Sequence, residues 1–255
     1  EEGITIRKNT EINKINLTGS KKSIKNIEIN HKETLSADIY ISNMDPSFLE
    51  KKMINRSKNF FSRFKNKLSK FSMGLFVIYF GSKVKYEKIA HHTIILSKRY
   101  KELLSEIFNG SKLPEDFSLY LHRPTATDSS LAPQGCDSFY VLSPVPNLKV
   151  ANIDWENISE IYAKKILSFL GKDIMPNLMD NLDHFFWMSP NDFKNDYNSM
   201  YGAGFSIAPI FYQSAWFRYH NKSKYENLYQ VGAGCHPGAG VPGVLSSAKI
   251  VEKLI

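Results

Sequence analysis

The residues whose types and spacing are best suited to ligand binding lie near the C-terminal end. Residues 227–249 read NLYQVGAGCHPGAGVPGVLSSAK. The apolar run 228–231 predicts a short strand, and residues 246–250 predict a helix with Pro242 near its first turn, where a missing N–H costs nothing. Five glycines lie between them, and glycine lets the backbone approach a ligand closely. A strand, a glycine loop and a helix N-terminus form an anion site, because free N–H groups and the helix dipole favour negative charge.

Two kinds of ligand fit such a loop. One is a phosphate group, and the other is the pyrimidine end of a reduced flavin, which becomes anionic when it receives hydride. The alternative is a glycine-rich connection that binds nothing, since the spacing is neither that of a P-loop nor GxGxxG. The residues alone therefore leave cofactor binding open.

The elements around this loop follow from hydrophobic periodicity. Residues 3–43 alternate in steps of two and predict a β-meander. Further strands are predicted at 73–81, 117–123 and 138–144, and helices at 100–108, 155–170 and 193–201. Because strands and helices mix without regular βαβ alternation, the predicted fold class is mixed α/β (α+β).

The charge of the chain is concentrated in one segment. The 255 residues carry a formal charge of +8, and 42% of them are hydrophobic, as expected for a folded protein. Between Lys51 and Lys101 there are 14 Lys/Arg and one acid, Glu87, so this segment has a net charge of +13 and the other 204 residues sum to −5. A charge confined to one segment, without a reading motif, argues against a nucleic-acid partner.

Residues 47–71 place apolar side chains at three- and four-residue spacing between Lys and Arg, which predicts a basic amphipathic helix. Such a helix either lies on an anionic membrane surface or packs its aromatic stripe on the body of the protein. No run approaches the roughly 20 apolar residues of a spanning helix. The two cysteines form no CxxC motif, so no metal site is expected, and the pair His91 and His92 is expected to be structural or exposed.

The glycine-rich stretch strongly resembles the C-terminal signature of the bacterial-type (CrtI-like) phytoene desaturases, which belong to the flavin-dependent amine-oxidase-like enzymes. One departure is Cys235, where that family usually carries threonine. The same resemblance, in matching order, extends over KFSMGLFVIYFG (70–81), AHHT (90–93), RYKELLSEIFN (99–109), EDFSLYLHRPTATD (115–128), SLAPQGCDSFYVLSPVPNL (130–148) and QSAWFRYH (213–220).

The resemblance implies FAD-dependent desaturation of phytoene or a related carotenoid precursor, a lipid-soluble polyene. A hydride passes to flavin, a proton is lost, and quinone or oxygen reoxidises the flavin. The implied location is cytoplasmic, with peripheral attachment to a membrane surface. Because no GxGxxG is present, the chain resembles the C-terminal half of such an enzyme, and we expect it to be inactive alone. The alternatives are a non-enzymatic peripheral membrane-binding module and a related polyene isomerase or oxidase.

The resemblance also implies which residues face the cofactor, when the family's roles are transferred to the matching positions of the motif. Those lining FAD would be Gly232, Ala233, Gly234, Gly240, Val241, Pro242 and Gly243, with Glu11 and Ile12 on the adenine side. Residues 1–45 and 216–255 would belong to the C-terminal part of a Rossmann-like FAD domain, and residues 46–215 to a mixed-sheet substrate domain.

The substrate side is less defined, and the catalytic residue is unknown. Residues in family-like motifs that could face an apolar tunnel are His122, Arg123, Asp128, Phe139, Tyr140 and Trp216. His122 and Asp128 are the candidates for an acid–base role. The alternative is that Arg123 and Asp128 form a structural pair beside a turn and that the aromatic residues belong to the core.

Overall fold

The structure is a computed structural model that describes residues 3–20, 22–54 and 69–255. It divides into two units: a terminal unit, made of the described residues up to Lys70 together with Phe205–Ile255, and a central unit, Phe71–Gly204. The sequence placed these boundaries at 45/46 and 215/216, whereas residues 46–54, 69–70 and 205–215 belong to the terminal unit. The assignment of the units to cofactor and substrate stays a prediction.

Ten strands and six α-helices are described. The strands are β1 (Ile12–Leu17), β2 (Ile24–Ile29), β3 (Glu33–Leu35), β4 (Tyr40–Ser42), β5 (Gly74–Ser82), β6 (His92–Ile95), β7 (Leu119–His122), β8 (Asp137–Val145), β9 (Leu182–Met188) and β10 (Leu228–Gln230). The α-helices are α1 (Pro46–Phe48), α2 (Tyr100–Asn109), α3 (Trp155–Asp173), α4 (Leu178–Asn181), α5 (Pro190–Asp196) and α6 (Val241–Glu252). The predicted mixed α/β class is confirmed.

The terminal unit contains the predicted meander and one pairing that the pattern did not indicate. Strands β1, β2 and β3 form an antiparallel sheet, and β4 pairs in parallel with β10, so that Tyr40 lies opposite Leu228. The prediction of a strand from residue 3 is wrong, because Ile4 and Ile6 are 78% and 79% exposed and lie outside any strand.

The central unit is built on a five-stranded antiparallel sheet in the order β6-β7-β8-β5-β9. One face packs against α3, and its core residues include Phe76, Ile78, Leu121, Val141 and Ile166. Successive side chains of a strand point to opposite faces, so the alternate residues of β5 and β8 form a second face.

One further prediction needs correction. The helix expected at 193–201 is α5, which spans Pro190–Asp196. It begins earlier than expected because Ser189 and Asp192 form a capping box around Pro190. Strands β6 and β9 were not predicted. Most of the predicted basic helix lies outside the described residues, and its first part forms α1 and a π-helical turn, Leu49–Ile54. Across the part of the chain that the structure describes, every helix falls short of the length and apolar character needed to cross a bilayer.

Candidate functional site

The glycine loop joins the end of β10 to the start of α6, as the sequence predicted. The Val231 N–H donates to the Ser42 carbonyl at 3.0 Å, which extends the pairing of β10 with β4. The next N–H, of Gly232, donates to Ser247 Oγ at 2.9 Å, and this hydroxyl donates to the Val244 carbonyl at 2.6 Å. The loop is therefore held from both of its ends.

Three of the glycines are required by close packing. Parallel strands end at the same edge, so the segment after β4 lies against the segment after β10. A Cβ on Gly232 would lie 2.1 Å from Asn43 Oδ1, and one on Gly234 would lie 2.3 Å from Pro46 Cδ. In the first turn of α6, a Cβ on Gly243 would lie 2.7 Å from the carbonyl oxygen of Gly238 in the loop. These glycines let the chain segments approach each other.

Gly240 is required for its backbone conformation and not for close packing. A Cβ there would meet no atom within 4 Å, but its φ of +97° is one that residues with a side chain rarely adopt. It is the N-cap of α6, and among the described residues no side chain caps this end and no acid lies in the first turn. Val241, the first helical residue, is 75% exposed. The helix therefore presents free N–H groups and its positive dipole end outward, which fits an anionic group of a cofactor. Gly240, Val241 and Pro242 could hold it.

Arg218 holds the glycine loop in place through hydrogen bonds to its backbone. The sequence analysis did not single out this residue. Its guanidinium donates to the Ala233 carbonyl at 3.1 and 2.7 Å, and to the carbonyls of Ile207 and Phe205 at 3.1 and 2.9 Å. Burial lowers the pKa of Arg218, but a guanidinium stays charged in proteins. The carbonyl of Ala233, a residue predicted to line the flavin, is engaged by this side chain. Only the position of Arg218 within QSAWFRYH could have drawn attention to it.

Cys235, in the same loop, is fully buried, and burial raises the pKa of its thiol to about 12. It therefore acts as a neutral packing group. Its Sγ donates to the Val231 carbonyl at 3.8 Å.

The predicted adenine-side residues lie in a different sheet. The Glu11 N–H donates to Asn30 Oδ1 at 2.8 Å, and the Asn30 N–H donates back to the Glu11 carbonyl at 2.9 Å. Ile12 lies opposite Ile29. Both residues therefore open the three-stranded meander, and their role at a cofactor stays a prediction.

In the central unit, five ring-bearing side chains form one row across the second face of the sheet. They lie directly opposite one another on adjacent strands, in the order His92, His122, Tyr140, Tyr79 and Phe186. Neighbouring ring centroids are 5.2, 4.6, 5.9 and 4.9 Å apart along this order. We call this set the ring row.

The ring row connects two concave surfaces of the central unit. A cavity of about 570 Å³ includes Tyr79, Tyr140 and Phe186 in its lining. A groove of about 240 Å³, lined almost entirely by apolar and aromatic side chains between α2 and the sheet, includes Tyr120. The rings of Tyr120 and Tyr140 are 5.8 Å apart, so groove, ring row and cavity are joined. Burial raises the pKa of Tyr140 to about 12 and also raises that of Tyr79, so both phenols stay uncharged.

Of the two acid–base candidates, only His122 lies in the ring row. Burial, and then the neighbouring His91 and His92, lower the pKa of His122, so its imidazole is neutral at pH 7. Asp128 instead caps the 3-10 turn Ser129–Leu131, accepting from Ser130 N at 2.9 Å and from Ser130 Oγ at 2.6 Å. These hydrogen bonds lower the pKa of Asp128.

The remaining substrate-side candidates separate. The suggested pair of Arg123 with Asp128 is wrong, because Arg123 pairs with Asp137, Nε to Oδ2 at 2.9 Å. Phe139 points to the core and stacks on Phe80 at 5.1 Å. Trp216 belongs to the terminal unit and is 69% exposed. Within the central unit, the structure therefore brings Tyr140 and His122 together, whereas Phe139 faces the core and Arg123 and Asp128 have separate partners.

The chain matches the family described as flavin containing amine oxidoreductase over residues 1–251. It is 46% identical to a lycopene-forming phytoene desaturase of Paracoccus sp., over 87% of this chain and 44% of the relative. It is 40% identical to a neurosporene-forming phytoene desaturase of Rhodobacter capsulatus, over 100% of this chain and 50% of the relative. The chain thus spans about half the length of the curated relatives it matches. The predicted resemblance is confirmed.

Solved structures support the same fold. An oxidoreductase from Methanosarcina mazei matches with a TM-score of 0.56 at 15% identity, over 95% of this chain and 49% of that one. The PF1083 protein of Pyrococcus furiosus matches with a TM-score of 0.52 at 18% identity, over 96% of this chain and 46% of that one.

Proposed function

Because this chain belongs to the family of flavin-containing amine oxidoreductases, we propose that it is part of an FAD-dependent desaturase acting on phytoene or a related carotenoid precursor. The observation that carries the choice of substrate is the ring row, with the groove and the cavity that it joins. The names of the relatives, which are phytoene desaturases, point to the same class of molecule.

A hydrocarbon polyene offers an enzyme nothing to hydrogen-bond, so its site must recognise it through apolar and aromatic contact. The ring row provides aromatic and imidazole rings on five neighbouring strands, and the groove beside it adds Ile94, Leu96 and Phe108. A long, narrow substrate can lie along such a surface without desolvating a charge, since desolvation of an unpaired charge is costly.

When bound, flavin would supply the hydride acceptor for the desaturation. The chain's own contribution would be the exposed N-terminus of α6, whose uncapped N–H groups at Val241 and Gly243 would stabilise negative charge on the bound cofactor. Arg218 holds the loop in place through the Ala233 carbonyl. Formation of the double bond also releases a proton, and His122 is the candidate of the ring row that can accept it.

The membrane and the electron acceptor complete the proposal. A hydrocarbon substrate dissolves in bilayers, and the basic segment Lys51–Lys101 would bring the protein to an anionic lipid surface. Peripheral attachment at the cytoplasmic side, with quinone or oxygen as the final acceptor, is part of the same proposal.

The test uses the full-length protein with FAD and phytoene in liposomes. We expect Tyr140→Phe to keep kcat/KM within about twofold, and Tyr140→Ala to lower it at least about tenfold, because a pocket that loses a ring loses about 1–3 kcal/mol of apolar contact. Ile161→Ala, on the exposed side of α3, is the matched control and should leave kcat/KM unchanged. Unchanged turnover in Tyr140→Ala would reject the ring row as the substrate surface.

A flotation assay tests the membrane part separately. Vesicles containing phosphatidylglycerol should bind the protein, vesicles of phosphatidylcholine alone should bind it weakly, and added salt should weaken the binding because exposed charges are screened. Equal flotation on both vesicle types would reject an electrostatic attachment.

A further inference from the structure

We propose that His91, His92 and His122 form a binding site for a divalent transition-metal ion of the Zn²⁺ class. Each histidine offers one ring nitrogen, and these nitrogens all lie within 4.8 Å of one another. The site goes beyond the proposed flavin chemistry, and it departs from the sequence expectation that the chain holds no metal.

Strand pairing brings the three rings together. His92, the first residue of β6, lies opposite His122, the last residue of β7. The Arg123 N–H donates to the His91 carbonyl at 2.9 Å, so His92 and His122 form the non-hydrogen-bonded pair, where side chains of antiparallel strands are closest. His91 precedes the strand, and its ring lies 4.3 Å from that of His92 and 4.7 Å from that of His122.

The hydrogen bonds of these rings leave ligand nitrogens facing one another. His91 Nε2 and His122 Nε2 are 2.8 Å apart, so they share one proton, and a metal ion would take the place of that proton. His91 Nδ1 bonds to Thr127 Oγ1, and His92 Nδ1 bonds to Tyr120 OH at 2.7 Å. Outer partners on Nδ1 orient an imidazole so that its Nε2 binds the metal.

The type of ligand selects the type of ion. Imidazole suits Zn²⁺, Co²⁺, Ni²⁺ and Cu²⁺, whereas Mg²⁺ and Ca²⁺ require oxygen ligands. Three histidine nitrogens at bonds of about 2.0–2.1 Å lie roughly 3.3 Å apart in a tetrahedral site, which small rotations of these three rings achieve. Such a set leaves a fourth position open for water or another ligand.

Occupancy has a consequence that rests on the proposed function. A metal ion bound to His122 would keep this residue from the acid–base role proposed for it, so a bound metal would inhibit desaturation. The binding itself is measured without turnover, which keeps a failure of the metal site distinct from a failure of the desaturase proposal.

The experiment titrates chelator-treated full-length protein with Co²⁺, followed by its visible absorption, and then displaces Co²⁺ with Zn²⁺. We expect His92→Gln and His122→Gln, which each remove a ligand, to weaken Co²⁺ binding at least about tenfold. Thr127→Val keeps all three ligands but removes an outer partner of His91, and it should weaken binding by about tenfold. His184→Gln, an exposed histidine beside Asp183 on β9, is the matched control and should bind as the wild type does.

Circular dichroism checks that each variant is folded. Equal Co²⁺ affinity in wild type, His92→Gln and His122→Gln would overturn the proposal, and so would a wild-type dissociation constant above the millimolar range. If His122→Gln fails to fold, Thr127→Val decides, because unchanged affinity in that variant would also contradict the site.

Discussion

Arg123 and Asp137 form a buried ion pair in which Nε lies 2.9 Å from Oδ2 and Nη2 lies 3.3 Å from Oδ1. The side chains are only 7% and 0% exposed. Asp137 also accepts from the Tyr86 N–H and from Thr125 Oγ1, both at 2.7 Å, while Arg123 donates to the Ile89 carbonyl at 3.0 Å. The pair ties the start of β8 to the end of β7, next to the ring row.

Removing one partner of this pair should therefore destabilise the protein strongly. Asp137→Ala leaves a buried guanidinium without its counter-charge, which costs about 3–5 kcal/mol. The measurement is urea unfolding followed by circular dichroism. Asp128→Ala, at the exposed cap, is the control and should move the midpoint far less. Equal shifts in the two variants would contradict the assignment of Asp137 as the partner of Arg123.

Arg218 should be required for the flavin binding that we propose at the glycine loop. Arg218→Ala leaves the buried carbonyl of Ile207 and the partly buried carbonyls of Phe205 and Ala233 without this donor, at up to about 1–3 kcal/mol for each group left unpaired. Arg218→Lys should rescue little, because an ammonium cannot reproduce the planar fork. Flavin retained after gel filtration and thermal unfolding measure both effects. Arg7→Ala, at an exposed pair with Glu33, is the control, and full flavin retention in Arg218→Ala would reject the role.

Gly234 should tolerate no side chain. Gly234→Ala brings a Cβ to 2.3 Å from Pro46 Cδ, and overpacking of this kind costs about 1–3 kcal/mol. Gly19→Ala is matched in chemistry and adds a Cβ with no atom within 4 Å, so it should be neutral. Denaturant unfolding of the two variants measures the difference. Equal stability would mean that the chain after β4 does not pack on the glycine loop.

Cys235 should resist thiol reagents in the native protein. Because burial raises its pKa to about 12, the thiol remains protonated at pH 8 and cannot act as a nucleophile. Cys136 is partly exposed and should react first. Peptide mapping after iodoacetamide, with and without denaturant, measures each residue. Rapid native labelling of Cys235 would contradict its burial.

Local patterns predicted most of the elements that have a strong period. The apolar spacing of residues 155–170 gives α3, and the apolar run 73–81 gives β5, because burial against one core imposes these periods. The pattern failed where burial depends on distant partners. Ile4 and Ile6 alternate but find no strand to pair with among the described residues, and β9 was missed because its pattern LDHFFWM does not alternate.

The same distinction applies to the candidate site. The glycine loop and the helix after it were predicted, because the strand, the glycines and Pro242 in the first turn of α6 follow one another directly in the sequence. The partner of Arg123 was predicted wrongly, because the choice between Asp128 and Asp137 depends on which carboxylate the turn after β7 presents to the core.

The sequence by itself determined the family, the glycine loop and the positions of the main helices and strands, because each of these depends on residues that follow one another in the chain. The tertiary structure alone decided that β4 pairs with β10, that Arg218 holds the loop, and that His92, His122 and Tyr140 share one row. The physical reason is that strand order and register bring together residues far apart in the chain, and a one-residue change of register would move each side chain to the other face.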